Sequence, residues 1–308
     1  MLVIAIIAGV SIYLVYHGIP GLHPAGPFLY RGCKVTQTVL LFAMLFLSFC
    51  KVEPRQIRPQ MWMLWLLLIQ GGVFAAIAAL LALFPDIRFK LGLETIMLCL
   101  ITPTGTACAV VTGKLGGNMA GVVSYTVLVN LLVSLMVPAL IPFVHPVEGL
   151  SFLSASWAIL SKVFPLLVLP LLSAWLVRYC FPRLHRWLLG FPNLGFYLWA
   201  VGLTLAMLVS TRALVRSGGT LAVLAELAFA SLLSCAFQFI VGRRIGAGYG
   251  CRISAGQSMG QKNTLLMIWM AYTFLDPVVS VAGGFYSIWH NTVNTWQLYR
   301  KRISSERN

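Results

Sequence analysis

Acidic residues are nearly missing from this chain. Its 308 residues carry 7 Asp+Glu against 22 Lys+Arg, and all charged residues together make up only 9%. A soluble domain has about 25% charged and about 45–50% apolar residues. With 59% hydrophobic residues and a mean hydropathy of +0.89, so few charges cannot cover the surface of a water-soluble protein of 33.8 kDa. That excludes a cytosolic, secreted or disordered chain. A net charge of +15 and a pI near 9.9 would point to nucleic acid in a soluble protein. In so apolar a chain they are explained more simply as the basic loops of one membrane face, and no nucleic-acid partner is expected.

Chemical motifs are also missing. No HExxH, GxSxG, P-loop or zinc-ligand spacing occurs, so nothing points to catalytic residues, a metal or a cofactor. The seven cysteines (Cys33, Cys50, Cys99, Cys108, Cys180, Cys235 and Cys251) form no CxxC pair and mostly lie in apolar runs. They read as small packing residues rather than a disulfide or metal framework. The N-terminus has no basic region ahead of its apolar run and no small-residue cleavage site, and it reads as a first span.

What the chain does have is apolar runs. Ten candidate spans lie near 2–17, 35–50, 61–85, 91–114, 118–143, 154–180, 192–215, 220–242, 251–275 and 277–299. Backbone polar groups cannot stay unpaired in hydrocarbon, so helices are expected throughout. Placing the N-terminus inside puts 14 basic residues in cytoplasmic segments: Lys51, Arg55, Arg58, Lys114, Arg178, Arg183, Arg186, Arg243, Arg244, Arg252, Arg300, Lys301, Arg302 and Arg307. Six fall outside, namely Arg31, Lys34, Arg88, Lys90, Arg212 and Arg216, while Lys162 and Lys262 lie within spans. The positive-inside rule then makes both termini cytoplasmic in an inner (plasma) membrane.

Ten spans divide into five plus five, and an odd-numbered unit repeated in tandem must be inverted, as in many secondary transporters. The fourth span of each half is interrupted. Pro103 and Gly105 lie in the middle of span 4, and Gly256, Ser258, Gly260, Gln261, Lys262 and Asn263 crowd the middle of span 9. Matching interrupted spans point to a transporter's binding site.

A charge near the bilayer centre costs at least about 2.5–3.5 kcal/mol, so it marks function. Lys262, between Gln261 and Asn263, is the sharpest case. Lys114 and Lys162, near span ends, are expected to snorkel. Glu94 is expected to serve its helix's dipole from the first turn, and Glu226 to be an interface residue or a buried partner for a cation. Gln70, Gln238, Gln257, Gln261, Asn130, Asn263, His290, Asn291 and Asn294 are each expected first as interhelical hydrogen-bond formers.

These residues resemble the bile acid:sodium symporter family. Pro103–Thr104–Gly105–Thr106–Ala107–Cys108–Ala109 is similar to that family's Pro-Gly-Gly-Thr-Ala-Ser-Asn break in span 4. Gln257–Ser258–Met259–Gly260–Gln261–Lys262 fills the place of its Glu-x-Gly-Met-Gln-Asn in span 9, and Tyr286–Ser287–Ile288–Trp289–His290–Asn291 that of its Phe-Ser-x-Trp-His-Asn in span 10. The resemblance implies an all-α integral membrane protein of ten helices in two inverted repeats, with helices 4 and 9 broken and crossing at mid-membrane. It implies one transmembrane unit, residues 1–308, in which a core of spans 3–5 and 8–10 moves against a panel of spans 1, 2, 6 and 7. Sodium would sit behind the crossing and an organic anion before it. Half-helix N-termini near Thr106 and Gly260 would face that anion.

By that resemblance Thr106, Lys262, Asn263, His290 and Asn291 would bind substrate, and Gln70, Cys108, Thr126, Gln257 and Gln261 would line the ion region. The family's first sodium site, a carboxylate with a Ser-Asn pair and hydroxyls, is replaced here by Gln257, Cys108, Ala109, Val122 and Thr126; only Thr126 survives from it, the second site retains Gln70 and Gln261, and no carboxylate remains. Sodium wants oxygen ligands, so transport is expected to be sodium-independent or proton-coupled. Lys262 would either replace sodium as a built-in cation that gains and loses a proton, or pair with the substrate's anionic group. The expected partners are a small organic anion, membrane lipid and, as coupling ion, a proton or weakly bound sodium. A sodium-coupled symporter and a transport-inactive sensor are the alternatives; a membrane-embedded enzyme finds no motif.

Overall fold

The computed structural model describes residues 2–191 and 193–306. Arg307, counted above among the cytoplasmic basic residues, and Pro192, where the seventh expected span begins, lie outside the described residues. The chain is all-helical, with no strand among the described residues. In order run α1 (Leu2–Gly18), α2 (Gly26–Cys50), α3 (Met61–Leu83), α4 (Lys90–Ile101), α5 (Cys108–Lys114), α6 (Met119–Val144) and α7 (Phe152–Cys180). They are followed by α8 (Pro182–Leu189), α9 (Leu194–Arg216), α10 (Leu221–Ala247), α11 (Arg252–Gly260), α12 (Thr264–Phe274) and α13 (Val281–Glu306).

Six of the helical segments are long and apolar enough to cross a membrane: Pro20–Cys50, Met61–Leu83, Met119–Val144, Phe152–Cys180, Leu194–Arg216 and Leu221–Ala247. Their outward faces are as apolar as their inward ones. On α3, Trp62, Met63, Leu66, Gln70 and Phe74 are buried, while Met61, Leu64, Trp65 and Leu68 are exposed. An exposed face this apolar belongs in lipid, because in water it would drive aggregation. The fold is that of a membrane protein.

Helix starts are set locally. Asn118, Ser151, Thr220 and Asn263 each accept a backbone N–H from their own first turn, at 3.1, 3.3, 3.4 and 3.2 Å, and so begin α6, α7, α10 and α12. Two helix starts differ most from expectation. α2 begins at Gly26 rather than 35, because Arg31 and Lys34 are helical residues and not a loop. The Lys34 ammonium lies 5.2 Å from the ring centres of both Tyr30 and Tyr272, a contact that tolerates the charge within a helix. α13 begins at Val281 after a single 3-10 turn, Pro277–Ser280, which Asp276 caps through the Val278 N–H at 2.9 Å.

The packing sorts the helices into neighbours. α1 lies on α9, and α2 on α7 and α9; α3 lies on α4 and α6, and α10 on α4, α11 and α13. The α10–α11 approach depends on Gly242 and Gly246, one turn apart in a small-xxx-small pattern. A Cβ at Gly242 would stand 2.7 Å from the Ala255 carbonyl oxygen, which is backbone and cannot rotate away. Gly242→Ala is therefore expected to destabilise the protein by about 1–3 kcal/mol through overpacking. Thermal unfolding in detergent measures this, and an unchanged melting temperature would contradict the close approach.

Candidate functional site

Pro103 and Gly105 end α4 at Ile101, and a turn at Thr106 and Ala107, closed by the Cys108 N–H on the Gly105 carbonyl at 3.0 Å, leads into α5 at Cys108. In the second half, α11 ends at Gly260 and α12 begins at Thr264. The two interruptions meet. Thr104 and Lys262 form an antiparallel bridge, with the Gly105 N–H donating to the Gln261 carbonyl at 2.8 Å and the Asn263 N–H to the Pro103 carbonyl at 2.9 Å. Gly105 is required there, since a Cβ would stand 2.8 Å from the Lys262 carbonyl oxygen. Position 260 corrects one expectation: Gly260 is the C-terminal residue of α11, and the N-terminal end after that break lies at Thr264, capped by Asn263.

A helix that stops inside the protein leaves four carbonyls without an intrahelical partner, and burial makes each costly to leave unpaired. At α4 all four are satisfied. Leu98 O accepts from the Thr102 N–H (3.1 Å) and hydroxyl (2.7 Å), Cys99 O from Gln238 Nε2 (3.3 Å), Leu100 O from Lys262 Nζ (3.0 Å) and Ile101 O from Gln70 Nε2 (3.2 Å). At α11, the Thr104 hydroxyl donates to Ser258 O at 2.7 Å, the Tyr286 hydroxyl to Gly260 O at 2.9 Å and the Gln261 N–H to Gln257 O at 2.9 Å.

The two caps that cross the bridge are reciprocal. Lys262 reaches the carbonyl four residues before Thr104, and Thr104 reaches the carbonyl four residues before Lys262. One cap is an ammonium and the other a hydroxyl. Lys262 is 2% exposed. Among the described residues no carboxylate lies within ion-pair distance of it; the ion pairs present are His145–Glu94 and Arg178–Glu53. Its neighbouring titratable groups are the thiols of Cys99 and Cys108.

The negative pole of α4 is thus the first counter-charge available to Lys262. The positive pole is also covered, because Glu226 Oε1 of α10 accepts the Gly92 N–H at 2.7 Å. Glu94 does not serve its helix's dipole as expected. It lies beyond the first turn, where its carboxylate meets His145 Nε2 at 3.1 Å and accepts the Asp276 N–H at 3.4 Å.

The remaining site residues divide into three groups. Gln70 is engaged at both ends, since its Oε1 also accepts the Tyr125 hydroxyl at 2.9 Å, so it braces α4 rather than waiting open for an ion. Gln257 Nε2 of α11 bonds Asn294 Oδ1 (3.0 Å) and Gln297 Oε1 (3.2 Å) of α13. His290 of α13 stands edge-on to Tyr286, ring centres 5.6 Å apart. Buried near the bridge, Gln257 Oε1, Gln261 Oε1, Asn263 Nδ2 and His290 Nδ1 have no partner within the protein. Cys108 is buried beside Lys262, whereas Thr106 is half-buried where the chain leads into α5. Asn291 and Thr126 turn to their own helices, at the Ser287 carbonyl (2.7 Å) and the Val122 carbonyl (2.8 Å), and are not drawn into the group.

The chain matches no protein-family model and no curated protein. The site's meaning therefore rests on its geometry. Thr104, Tyr286 and Glu226 are the functional side chains the sequence did not single out for these roles; each acts on a carbonyl or N–H far along the chain.

Such an arrangement can hold one fixed positive charge at a break in the fold, beside unpaired donors and acceptors that suit a polar ligand. Thr104→Val keeps the shape of the side chain and strands the Ser258 carbonyl, which is expected to cost about 1–3 kcal/mol. Chemical unfolding in detergent tests this beside Thr104→Ser, which keeps the hydroxyl. A valine variant as stable as wild type would remove the reciprocal cap from the account.

Proposed function

We propose that this chain is a secondary transporter of a small or amphipathic organic anion, with the architecture of the bile acid:sodium symporter family and an alternating-access cycle. The observation that carries the proposal is the reciprocal crossing of two interrupted helices at Thr104 and Lys262. A shift of 158 residues, the separation of that pair, carries α1 to α7, α2 to α9 and α3 to α10. It also carries α4–α5 to α11–α12 and α6 to α13. Two five-span units in tandem have opposite orientations in a membrane, and their broken helices meet at the midplane.

On this reading α1, α2, α7 and α9 form the panel, and α3–α6 with α10–α13 form the core that moves against it. Both termini are cytoplasmic in the inner membrane. No catalytic step is needed, and the chain is a carrier, not an enzyme. Lys262 acts as the resident cation. Its ammonium takes the end of α4, where a metal ion would otherwise have to satisfy carbonyl oxygens, and this favours the role of built-in cation over direct pairing with substrate. Asn263, His290 and Thr106 supply donors on the substrate side.

A sodium-coupled symporter is the second reading, favoured by the unpaired acceptor oxygens of Gln257 and Gln261. Uptake of labelled organic anions into proteoliposomes separates the two. Accumulation is expected to continue undiminished when potassium replaces sodium, and to fall by about tenfold or more, some 1.4 kcal/mol, in Lys262→Met. A strict sodium requirement in wild type establishes the second reading. Binding of the anions without any accumulation excludes both.

A further inference from the structure

A second cationic cluster lies away from the crossing. On α2, Tyr30, Lys34, Gln37 and Thr38 fall at i, i+4, i+7 and i+8 and share one helix face. The Lys34 ammonium lies 5.2 Å from the ring centres of Tyr30 and of Tyr272 on α12. The Arg212 guanidinium of α9 stacks 3.5 Å from the Tyr30 ring centre. Lys162 of α7 and Arg212 both lie within electrostatic reach of Lys34. α2 and α9 thus direct two positive charges to one place, and α7 carries a third within electrostatic reach.

Nothing negative answers them. Among the described residues the ion pairs are His145–Glu94 and Arg178–Glu53, neither of which includes a member of this group. Like charges held together are unfavourable unless an anion joins them. Lys34 and Arg212 are half-buried and Lys162 is exposed, so the group is open to a ligand from its rim. Tyr30, Tyr272 and Trp269 give flat aromatic walls beside it. Gln37, fully buried one turn below Lys34, has no partner for Nε2.

The place also matters mechanically. The Tyr272 hydroxyl donates to Gln37 Oε1 at 2.9 Å, and Trp269 Nε1 to the Thr38 hydroxyl at 3.0 Å. These bonds join α12 to α2, so any sliding of one helix against the other must break them. An anion drawn to Lys34 and Arg212 sits directly on that joint.

We propose that Lys34, Arg212 and Lys162 form an anion-recruiting site that takes the oxyanion group of an organic molecule, its apolar or aromatic body lying against Tyr30 and Tyr272. The site is separate from Lys262. Its assignment as the outer vestibule of a transport route rests on the transporter reading above, but its capacity to bind does not.

The test is equilibrium titration of naphthalenesulfonate, a flat organic anion, into the full-length protein in nanodiscs of pure phosphatidylcholine. The combined Lys34→Gln and Arg212→Gln variant is expected to bind about tenfold or more weakly than wild type. Arg212→Lys, which keeps the charge and loses the planar stack, is expected to fall between. Equal affinity in wild type and the double variant overturns the site. If phosphatidylglycerol in the disc abolishes sulfonate binding, and the double variant no longer retains that lipid, the cluster is a lipid-headgroup site and the proposal fails. Charge-dependent sulfonate binding without accumulation in proteoliposomes upholds the site while overturning transport. Accumulation undiminished in the double variant, with unchanged binding, does the reverse.

Discussion

An α-helix that ends inside a membrane protein exposes carbonyl oxygens where no water can reach them, and the rest of this fold is organised around that constraint. Two helices end in this way, α4 at Ile101 and α11 at Gly260. Only Leu98 O and Gln257 O of the carbonyls described above are paired by the cap residues of their own helices. Gln70 arrives from α3, Gln238 from α10, Tyr286 from α13, and Thr104 and Lys262 from the opposite break. Each partner ties a different helix to the crossing, so the same hydrogen bonds that make the interruptions tolerable also hold the bundle together. Buried hydrogen bonds that join this many helices specify one arrangement more sharply than apolar packing does.

The network is two-fold in pattern but not in charge. At the end of α11 the crossing cap is a hydroxyl; at the end of α4 it is an ammonium. α4 is consequently held between a carboxylate at its N-terminal turn, Glu226 on Gly92, and a cation at its C-terminal turn, Lys262 on Leu100. Both match the helix dipole. Both come from the second half of the chain, so the charge balance of the first broken helix is set by its counterpart. On the transporter reading this gives Lys262 a definite job. A lysine built into the polypeptide does what a bound metal ion does at a helix end, without leaving at each cycle.

Much of this was legible in the sequence, and the failures have physical causes. The interruptions announce themselves, because Pro103 cannot continue α4 and because polar Gln261, Lys262 and Asn263 follow Gly260 in the middle of an apolar run. Lys262 stands out because a charge inside an apolar run is costly wherever it points. The direction in which it points is a tertiary fact, and only the meeting of residues 104 and 262 sends it to Leu100. For the same reason the sequence does not show to which half-helix Gly260 belongs: that depends on which residue resumes hydrogen bonding after the break, and Asn263 decides it by capping α12. From the sequence alone Arg31 and Lys34 belong to a loop, because a charge inside an apolar span is costly. The rings that accommodate Lys34 lie in α2 itself and 238 residues away, in Tyr272. The gathering of Lys34, Lys162 and Arg212 from three helices has no sequence signal at all.

If Lys262 is the resident cation of the crossing, sodium has no vacant place at the end of α4. A ligand that binds the folded state raises its melting temperature by an amount that grows with the logarithm of ligand concentration above Kd, so sodium-specific stabilisation reports the presence of a site without needing the substrate. The decisive measurement is the melting temperature of the purified wild-type protein in detergent, titrated with sodium chloride against choline chloride at equal ionic strength. The account predicts superimposable curves. A melting temperature that rises with sodium and not with choline would contradict it.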